Sequence, residues 1–299
     1  MSARVALVFG GSGQIGHALL VRLAAQGWHC LAISREPRED RDGVRWVRGC
    51  LDPAAASQGL PGRCDAIFSC GPLDLFSIWY AGSGLDCGRI LAFGSTSRDV
   101  KRHAQDPDER ALADVLGRAE ERVFDAAAAR GAHATLLRPT LVYGAGRDAN
   151  LTRIARLATR AGFFPLPRGA AGLRQPVHVE DLAAAAAAAA DSPVTHGKGY
   201  ALPGGETLPY REMVARTLAA LPSKPRLLEL PGPIFRVALS AARATGRLQG
   251  LPPGAIARMR EDLVFDATPA QRDFGYAPRG FHPTAQTFFP QESDGGHDV

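Results

Sequence analysis

A chain of 299 residues with 45% apolar and 22% charged residues has enough material for a large core, either as one α/β domain or as a nucleotide-binding domain with an attached lobe. No run of eighteen apolar residues occurs, the alanine run from Ala183 to Ala190 is too short to span a bilayer, and the polar start is unlike a secretion signal, so a cytoplasmic protein without a membrane partner is expected. The net charge of +5 comes from scattered arginines, with Lys101, Lys198 and Lys224 the only lysines; the absence of aromatic interleaving argues against nucleic acid and for a small anionic or polar ligand.

The chain opens with Val5-Ala-Leu-Val-Phe-Gly-Gly-Ser-Gly-Gln-Ile-Gly16. An apolar run too short for a helix breaks at glycine and restarts in helix-forming residues, which predicts a strand, a tight turn and a helix from Gln14 to Gln26 that ends at Gly27. Gly10, Gly13 and Gly16 serve three different needs: a turn, backbone approach to a pyrophosphate, and close helix packing. The candidate cofactor grip is therefore Gly10, Gly11, Ser12, Gly13, Gln14, Ile15 and Gly16, with the first-turn N–H groups of the helix facing the phosphates.

A second strand, Trp28 to Ser34, ends in Ser34-Arg35, where such a fold meets the adenosine ribose. Arginine there suits a 2′-phosphate, so NADP is preferred and NAD is the alternative; a solvated arginine at a strand end is the other reading. Val44 to Val47 and Asp65 to Ser69 are the next strands. The turn Cys70-Gly71-Pro72 is small enough for backbone to pass over a cofactor, and the apolar segment Leu73 to Tyr80 is either a helix near that cleft or core. The five cysteines, Cys30, Cys50, Cys64, Cys70 and Cys87, show no CxxC spacing and are expected to be reduced rather than metal ligands or disulfides.

A fifth strand, Arg89 to Phe93, runs into Gly94-Ser95-Thr96-Ser97. Beyond the carboxyl ends of parallel strands is where ligands bind, which makes Ser95 and Thr96 candidates to hydrogen-bond a carbonyl oxygen; a helix cap is the competing use. Lys101 follows within a few residues and is a candidate cation or acid. A long helix, Pro107 to Arg130, leads to a sixth strand, Ala134 to Leu137, and then to Arg138-Pro139 and Tyr143-Gly144. Further on, the sequence predicts a helix from Asn150 to Ala161, a proline-interrupted loop from Phe163 to Arg168, and an alanine-rich helix ending near Asp191. A strand and turn at Tyr200 to Glu206, a helix from Pro209 to Leu221, a strand from Leu227 to Leu230, and helices at Ile234 to Thr245 and Pro253 to Met259 complete the reading. Arg174 and Arg147 are read either as anion-binding or as solvated.

The glycine turn, the Ser/Thr cluster after strand five, Arg138-Pro139 with Tyr143-Gly144, and His178-Val-Glu-Asp181-Leu-Ala183 occur in an order that resembles the extended short-chain dehydrogenase/reductase superfamily, in its NAD-dependent epimerase/dehydratase-like branch. The resemblance covers most of residues 4 to 205. It implies an α/β fold, a Rossmann-type doubly wound parallel sheet over residues 1–190, with 147–173 contributing to the substrate cleft, and a smaller C-terminal α/β substrate lobe over 191–290; the polar stretch 291–299 is expected to be a flexible tail. It also implies NAD(P) across the strand ends, with Gly94, Arg138 and Pro139 near it, and a homodimer; Tyr143, at the end of strand six where nicotinamide and substrate should meet, is a further catalytic candidate, although the resemblance implies a structural use of the Tyr143-Gly144 pair.

The superfamily's chemistry rests on a tyrosine and, four residues later, a lysine. The matching segment here, Val115-Leu-Gly-Arg-Ala-Glu-Glu121, puts Leu116 at the tyrosine position and Glu120 at the lysine position, which makes the chain an atypical member. General acid catalysis contributes about 10² to 10⁴ in rate. Either other groups, Thr96, Ser95, Lys101 or Tyr143, serve an oxidoreductase or epimerase-like reaction on a small carbonyl or alcohol, sugar- or nucleotide-linked in some readings, or the chain is a catalytically silent NADP(H)-binding sensor or accessory subunit. An isomerase or lyase with tightly held NAD(P) is a third reading.

Overall fold

The computed structural model describes residues 3–51, 60–235, 237, 240 and 258–290. Most of the two helices expected over 234–245 and 253–259, and the tail at 291–299, lie outside them. The chain divides into two compact units, the first made of residues 1–140, 177–203 and 265–278 and the second of 141–176, 204–264 and 279–299.

In the first unit the strands are β1 (Val5–Phe9), β2 (His29–Ser34), β3 (Val44–Arg48), β4 (Arg63–Cys64), β5 (Ala66–Ser69), β6 (Asp86–Cys87), β7 (Arg89–Phe93), β8 (His133–Pro139), β12 (Val177–His178) and β13 (Lys198–Leu202). Seven of them form one parallel sheet in the order β13-β8-β7-β5-β1-β2-β3. Chain order runs outward from β1 to β3 and then restarts beside β1 at β5, which makes the gap between the carboxyl ends of β1 and β5 the switch point where such sheets bind ligands. The strand expected within Tyr200 to Glu206 was assigned to the C-terminal lobe, yet β13 closes the edge of this main sheet. Long-range pairing with β8, invisible in local sequence, decides its place.

Helix α1 (Gln14–Ala25) packs on α6 (Val179–Ala190), and α2 (Leu73–Gly82) packs on α4 (Pro107–Ala128). Strand alternation divides the core accordingly. Leu7, Phe9, Ile67, Ile90 and Leu136 join Phe76, Trp79 and Tyr80 of α2 and Ala119 and Val123 of α4 in one buried cluster. The segment Leu73 to Tyr80, ambiguous in sequence, is thus a helix that belongs to the core. A short helix not expected from sequence, α3 (Ser97–Lys101), follows β7.

The second unit contains β9 (Val142–Tyr143), β10 (Phe163–Pro167), β11 (Leu173–Arg174), β14 (Leu208–Pro209) and β15 (Arg226–Leu230), with helices α5 (Leu151–Ala161) and α7 (Tyr210–Ala219). Its core gathers Leu151, Ile154, Leu166, Met213, Val214, Phe281 and Phe288. The expected loop at Phe163 to Arg168 is instead a strand paired in parallel with β15. Pro165 and Pro167 share one strand parity, so both missing N–H groups fall on the side without a ladder partner.

Arg89 shows how this arginine-rich chain uses its charges. It is 8% exposed and donates to the carbonyls of Ala189 (2.7 Å), Ala190 (3.3 Å) and His133 (2.9 Å) and to Thr135 Oγ1 (2.8 Å) and Thr195 Oγ1 (2.5 Å). Burial pulls its guanidinium down to about 10, so it stays charged at neutral pH and caps the carbonyl end of α6. Replacing it leaves several buried acceptors without donors. Arg89→Met is expected to lower unfolding free energy by about 3 kcal/mol, measured in urea, with no comparable loss in Arg63→Met on the surface.

Beside it, the rings of His133 and His196 stack at 3.9 Å. Desolvation, then the charges of Arg89 and His133, hold His196 below its ordinary value of 6.5. A base depressed in the folded state binds fewer protons than in the unfolded state, so stability is lost as pH falls below about 6.5 towards the folded value. Thermal unfolding midpoints across this window should fall on acidification in the native chain, and less steeply in His196→Gln.

Candidate active site

The site is built on the loop after β1. Gly10 adopts a positive φ of 71°, which turns the chain, and its carbonyl accepts the N–H of Gly13 at 2.9 Å. A Cβ on Gly16 would lie 2.1 Å from the Gly10 oxygen, and one on Gly10 would lie 2.8 Å from the backbone of Cys70 and Gly71. Helix α1 therefore sits directly on the turn, and the loops after β1 and β5 adjoin at the switch point. Gly13 is the exposed N-cap of α1 and offers no side-chain acceptor, which leaves the first-turn N–H groups for an anion. Gln14 Oε1 is buried without a partner in the protein. Gly11 is buried, and a Cβ there would meet Leu20 at 2.9 Å; Ser12 and Ile15 are half-buried on the same turn.

Ser34, the last residue of β2, accepts the N–H of Glu36 through Oγ at 3.2 Å, and its neighbour Arg35 is exposed. Arg48, which the sequence reading passed over, ends β3 directly beside Ser34 in register and is also exposed. Two guanidiniums thus lie at the carboxyl ends of adjacent strands. Cys70 is half-buried with its N–H on the Phe9 carbonyl, and burial pushes its thiol up to about 12, so it is a neutral wall of the loop with Gly71 and Pro72.

At the end of β7, Thr96 is buried and occupied: its N–H (3.3 Å) and Oγ1 (3.1 Å) both donate to the Pro139 carbonyl. Ser95 Oγ accepts the N–H of Ser97 at 3.1 Å, a turn contact from the residue before the N-cap, and the N-cap itself, Thr96, makes no side-chain capping bond. Lys101 closes α3 with Nζ 3.7 Å from Glu109. Tyr143 belongs to the second unit, where its buried ring stands edge-on to Phe281 at 5.0 Å. Arg174, read in sequence as anion-binding or solvated, is neither: it is 5% exposed and donates to the carbonyls of Leu173, Glu261 and Arg258. Among the described residues no group of three or more His, Cys, Asp or Glu is arranged to hold a metal ion.

Glu120, at the position where the superfamily resemblance expects lysine, is 2% exposed. Its two oxygens accept from Arg138 Nε (2.8 Å) and Nη2 (2.6 Å), and Arg98 Nη1 lies 3.2 Å from Oε2. Burial works against the Arg138 charge, but the hydrogen bonds and carboxylate charge of Glu120 prevail and raise its guanidinium above the ordinary value. Arg138 is thereby turned onto Glu120 and fits because Gly199 has no side chain: a Cβ there would be 2.7 Å from Nη2. Gly94 plays the same part for Glu120, whose Oε1 would lie 3.2 Å from its Cβ. Leu116, at the tyrosine position, is half-buried.

Residues 6–74 match the model of the NAD dependent epimerase/dehydratase family. Over that segment, which carries the glycine turn, the chain is similar to that family. It is 29% identical to 2-alkyl-3-oxoalkanoate reductase of Stenotrophomonas maltophilia over 91% of this chain and 94% of that protein. Among solved structures, the epimerase Mth375 of Methanothermobacter thermautotrophicus superposes with a TM-score of 0.73 at 14% identity, over 96% of this chain and 91% of that one. The Bordetella bronchiseptica enzyme WbmH, solved in complex with NAD+, gives 0.65 at 18% identity over 96% of both chains. The chain thus shares the fold of these two solved structures.

The 2.1 Å approach at Gly16 permits a direct test. Gly16→Ala is expected to cost about 3 kcal/mol or more in urea unfolding, because the obstructing atom is backbone and cannot rotate away. Gly27→Ala, where a Cβ meets nothing but φ is 78°, should cost about 1 kcal/mol.

Proposed function

We propose that this chain is an NAD(P)-dependent oxidoreductase or epimerase-like enzyme acting on a small carbonyl or alcohol, with NADP preferred. The observation that carries the reading is the glycine cradle: a left-handed Gly10, a helix seated on it through Gly16, and an uncapped helix N-terminus at Gly13 beside the Cys70–Gly71 loop. The residues fit a dinucleotide. Backbone N–H groups of α1 would hold the pyrophosphate, Gln14 Oε1 suits a donor such as a ribose hydroxyl, and Arg35 with Arg48 suits a 2′-phosphate. When bound, the coenzyme supplies or takes up a hydride.

The protein's own part is to bind, orient and shield. Thr96 and Ser95 shape the wall at the end of β7, and their hydroxyls retain acceptor capacity beside the internal bonds described above. Lys101, though paired with Glu109, remains the candidate proton source, and Tyr143 the further candidate. The relative's substrate, a 3-oxoalkanoate by its name, supports a carbonyl compound for this chain. The second reading, a silent NADP(H)-binding protein, is favoured by Glu120, whose carboxylate is consumed in an ion pair where a lysine is expected. Five free thiols suit the cytoplasm. Exposed Leu75 and Ile78 on α2 and Leu112 and Val115 on α4 suit a homodimer.

Fluorescence titration with NADPH and NADH tests the coenzyme. NADPH should bind more tightly, and Arg35→Ala should weaken it about tenfold while leaving NADH within twofold. Equal loss of both would remove the 2′-phosphate assignment, and no signal from either at millimolar concentration would sink the whole reading. Oxidation of NADPH by a panel of 3-oxo esters, 3-oxo acids and ketones then separates enzyme from silent binder.

A further inference from the structure

The buried carboxylate of Glu120 faces two guanidiniums, Arg138 and Arg98. Arg138 engages both carboxylate oxygens through two nitrogens and is boxed in by Gly94 and Gly199, so that pair is complete and neutral. A purely structural ion pair needs no second guanidinium. Arg98 nevertheless lies against it, with Nη1 3.2 Å from Glu120 Oε2 and its side chain 29% exposed. Its other contact, Asp99, is 3.8 Å away and more than half exposed, where solvent screens most of the attraction. Most of the Arg98 fork is therefore unspent, while a buried carboxylate fixes where it points.

The position is specific. Arg98 is the second residue of α3, directly after Ser95 and Thr96, and Glu120 abuts Gly94, so the spare donors stand at the carboxyl end of β7, on the edge of the sheet where ligands bind. A planar guanidinium with two free N–H directions matches a carboxylate better than it matches a neutral carbonyl or an alcohol. We infer that Arg98 is an anion-binding residue of the substrate site, which selects a carboxylate-bearing oxo acid, and that Glu120 is a positioning residue that holds Arg98 in place. The inference deepens the proposed function and rests on it for the carbonyl part of the ligand. The anion site itself belongs to the chain alone and is read without coenzyme.

The probe pair is acetoacetate and its uncharged methyl ester, titrated calorimetrically into the protein alone and into the protein with NADP+. The native chain should bind the acid about tenfold more tightly than the ester, Arg98→Met should abolish that preference, and Arg98→Lys should retain part of it. Coenzyme affinity should stay within twofold in all three. In Glu120→Gln, which leaves two guanidiniums without their carboxylate, the thermal midpoint should fall and added acetate should recover part of the loss, an effect absent from the native chain. A native chain that binds acid and ester equally or neither, a preference that survives Arg98→Met, or a Glu120→Gln midpoint indifferent to acetate would overturn the assignment. If the acid preference appears but coenzyme titration fails, the anion site stands and the oxidoreductase reading falls.

Discussion

The first helix presses its N-terminus onto the turn after the first strand with no room for a single methyl group. Gly16 lies against the Gly10 carbonyl, and Gly10 lies against the backbone of Cys70 and Gly71. These two contacts have one consequence: three backbone segments meet at the switch point of the sheet with their polar groups outward and their side chains removed. An anion approaching there finds N–H groups, the positive end of α1 and no steric barrier. A strand that ends at Phe9 and a helix that begins at Gln14 leave four residues to reverse direction, which the left-handed Gly10 makes possible.

The parallel sheet was legible because its strands are short, apolar and bounded by glycine or polar turns, and the glycine spacing told which turn carries the site. Three features were not. The strand Phe163–Pro167 reads as a loop, because proline ordinarily ends a ladder; only the pairing partner shows that both prolines face the empty side. The place of Lys198–Leu202 depends on β8, some sixty residues earlier, and on the packing of Phe274 against Tyr200 from far downstream. Helix α3 is one turn long, below the length at which periodicity carries any signal.

Electrostatics was the least legible part, for the same reason of distance. Read locally, a glutamate in place of a lysine promises repulsion and a lost function. Read in three dimensions, Glu120 is a buried anion that required a bidentate cation and found it in Arg138, eighteen residues away on another element. Once its burial is known the partner follows, since a lone charge at 2% exposure is strongly disfavoured and requires a committed cation. Thr96 makes the complementary point. Its hydroxyl ties β7 to β8 through the Pro139 carbonyl, so a side chain singled out for chemistry also fixes the spacing of the strand ends.

Arginine content alone therefore says little about where anions bind. Arg89 is spent on the carbonyls ending α6, Arg174 on the backbone of the second unit, and Arg138 on Glu120. Each is substantially buried and donates through at least two nitrogens to internal acceptors, which draws it away from the pool that a ligand can use. On the proposed reading, the guanidiniums that would bind are those held near the carboxyl edge of the sheet but incompletely matched, Arg35 and Arg48 after β2 and β3 and Arg98 after β7. Two cationic positions on one edge, at β2–β3 and at β7, suit a ligand pair with negative charge at both extremes. A phosphorylated ribose at one and a carboxylate at the other meet that requirement with the same residue type, used in one case exposed and in the other anchored by a buried anion.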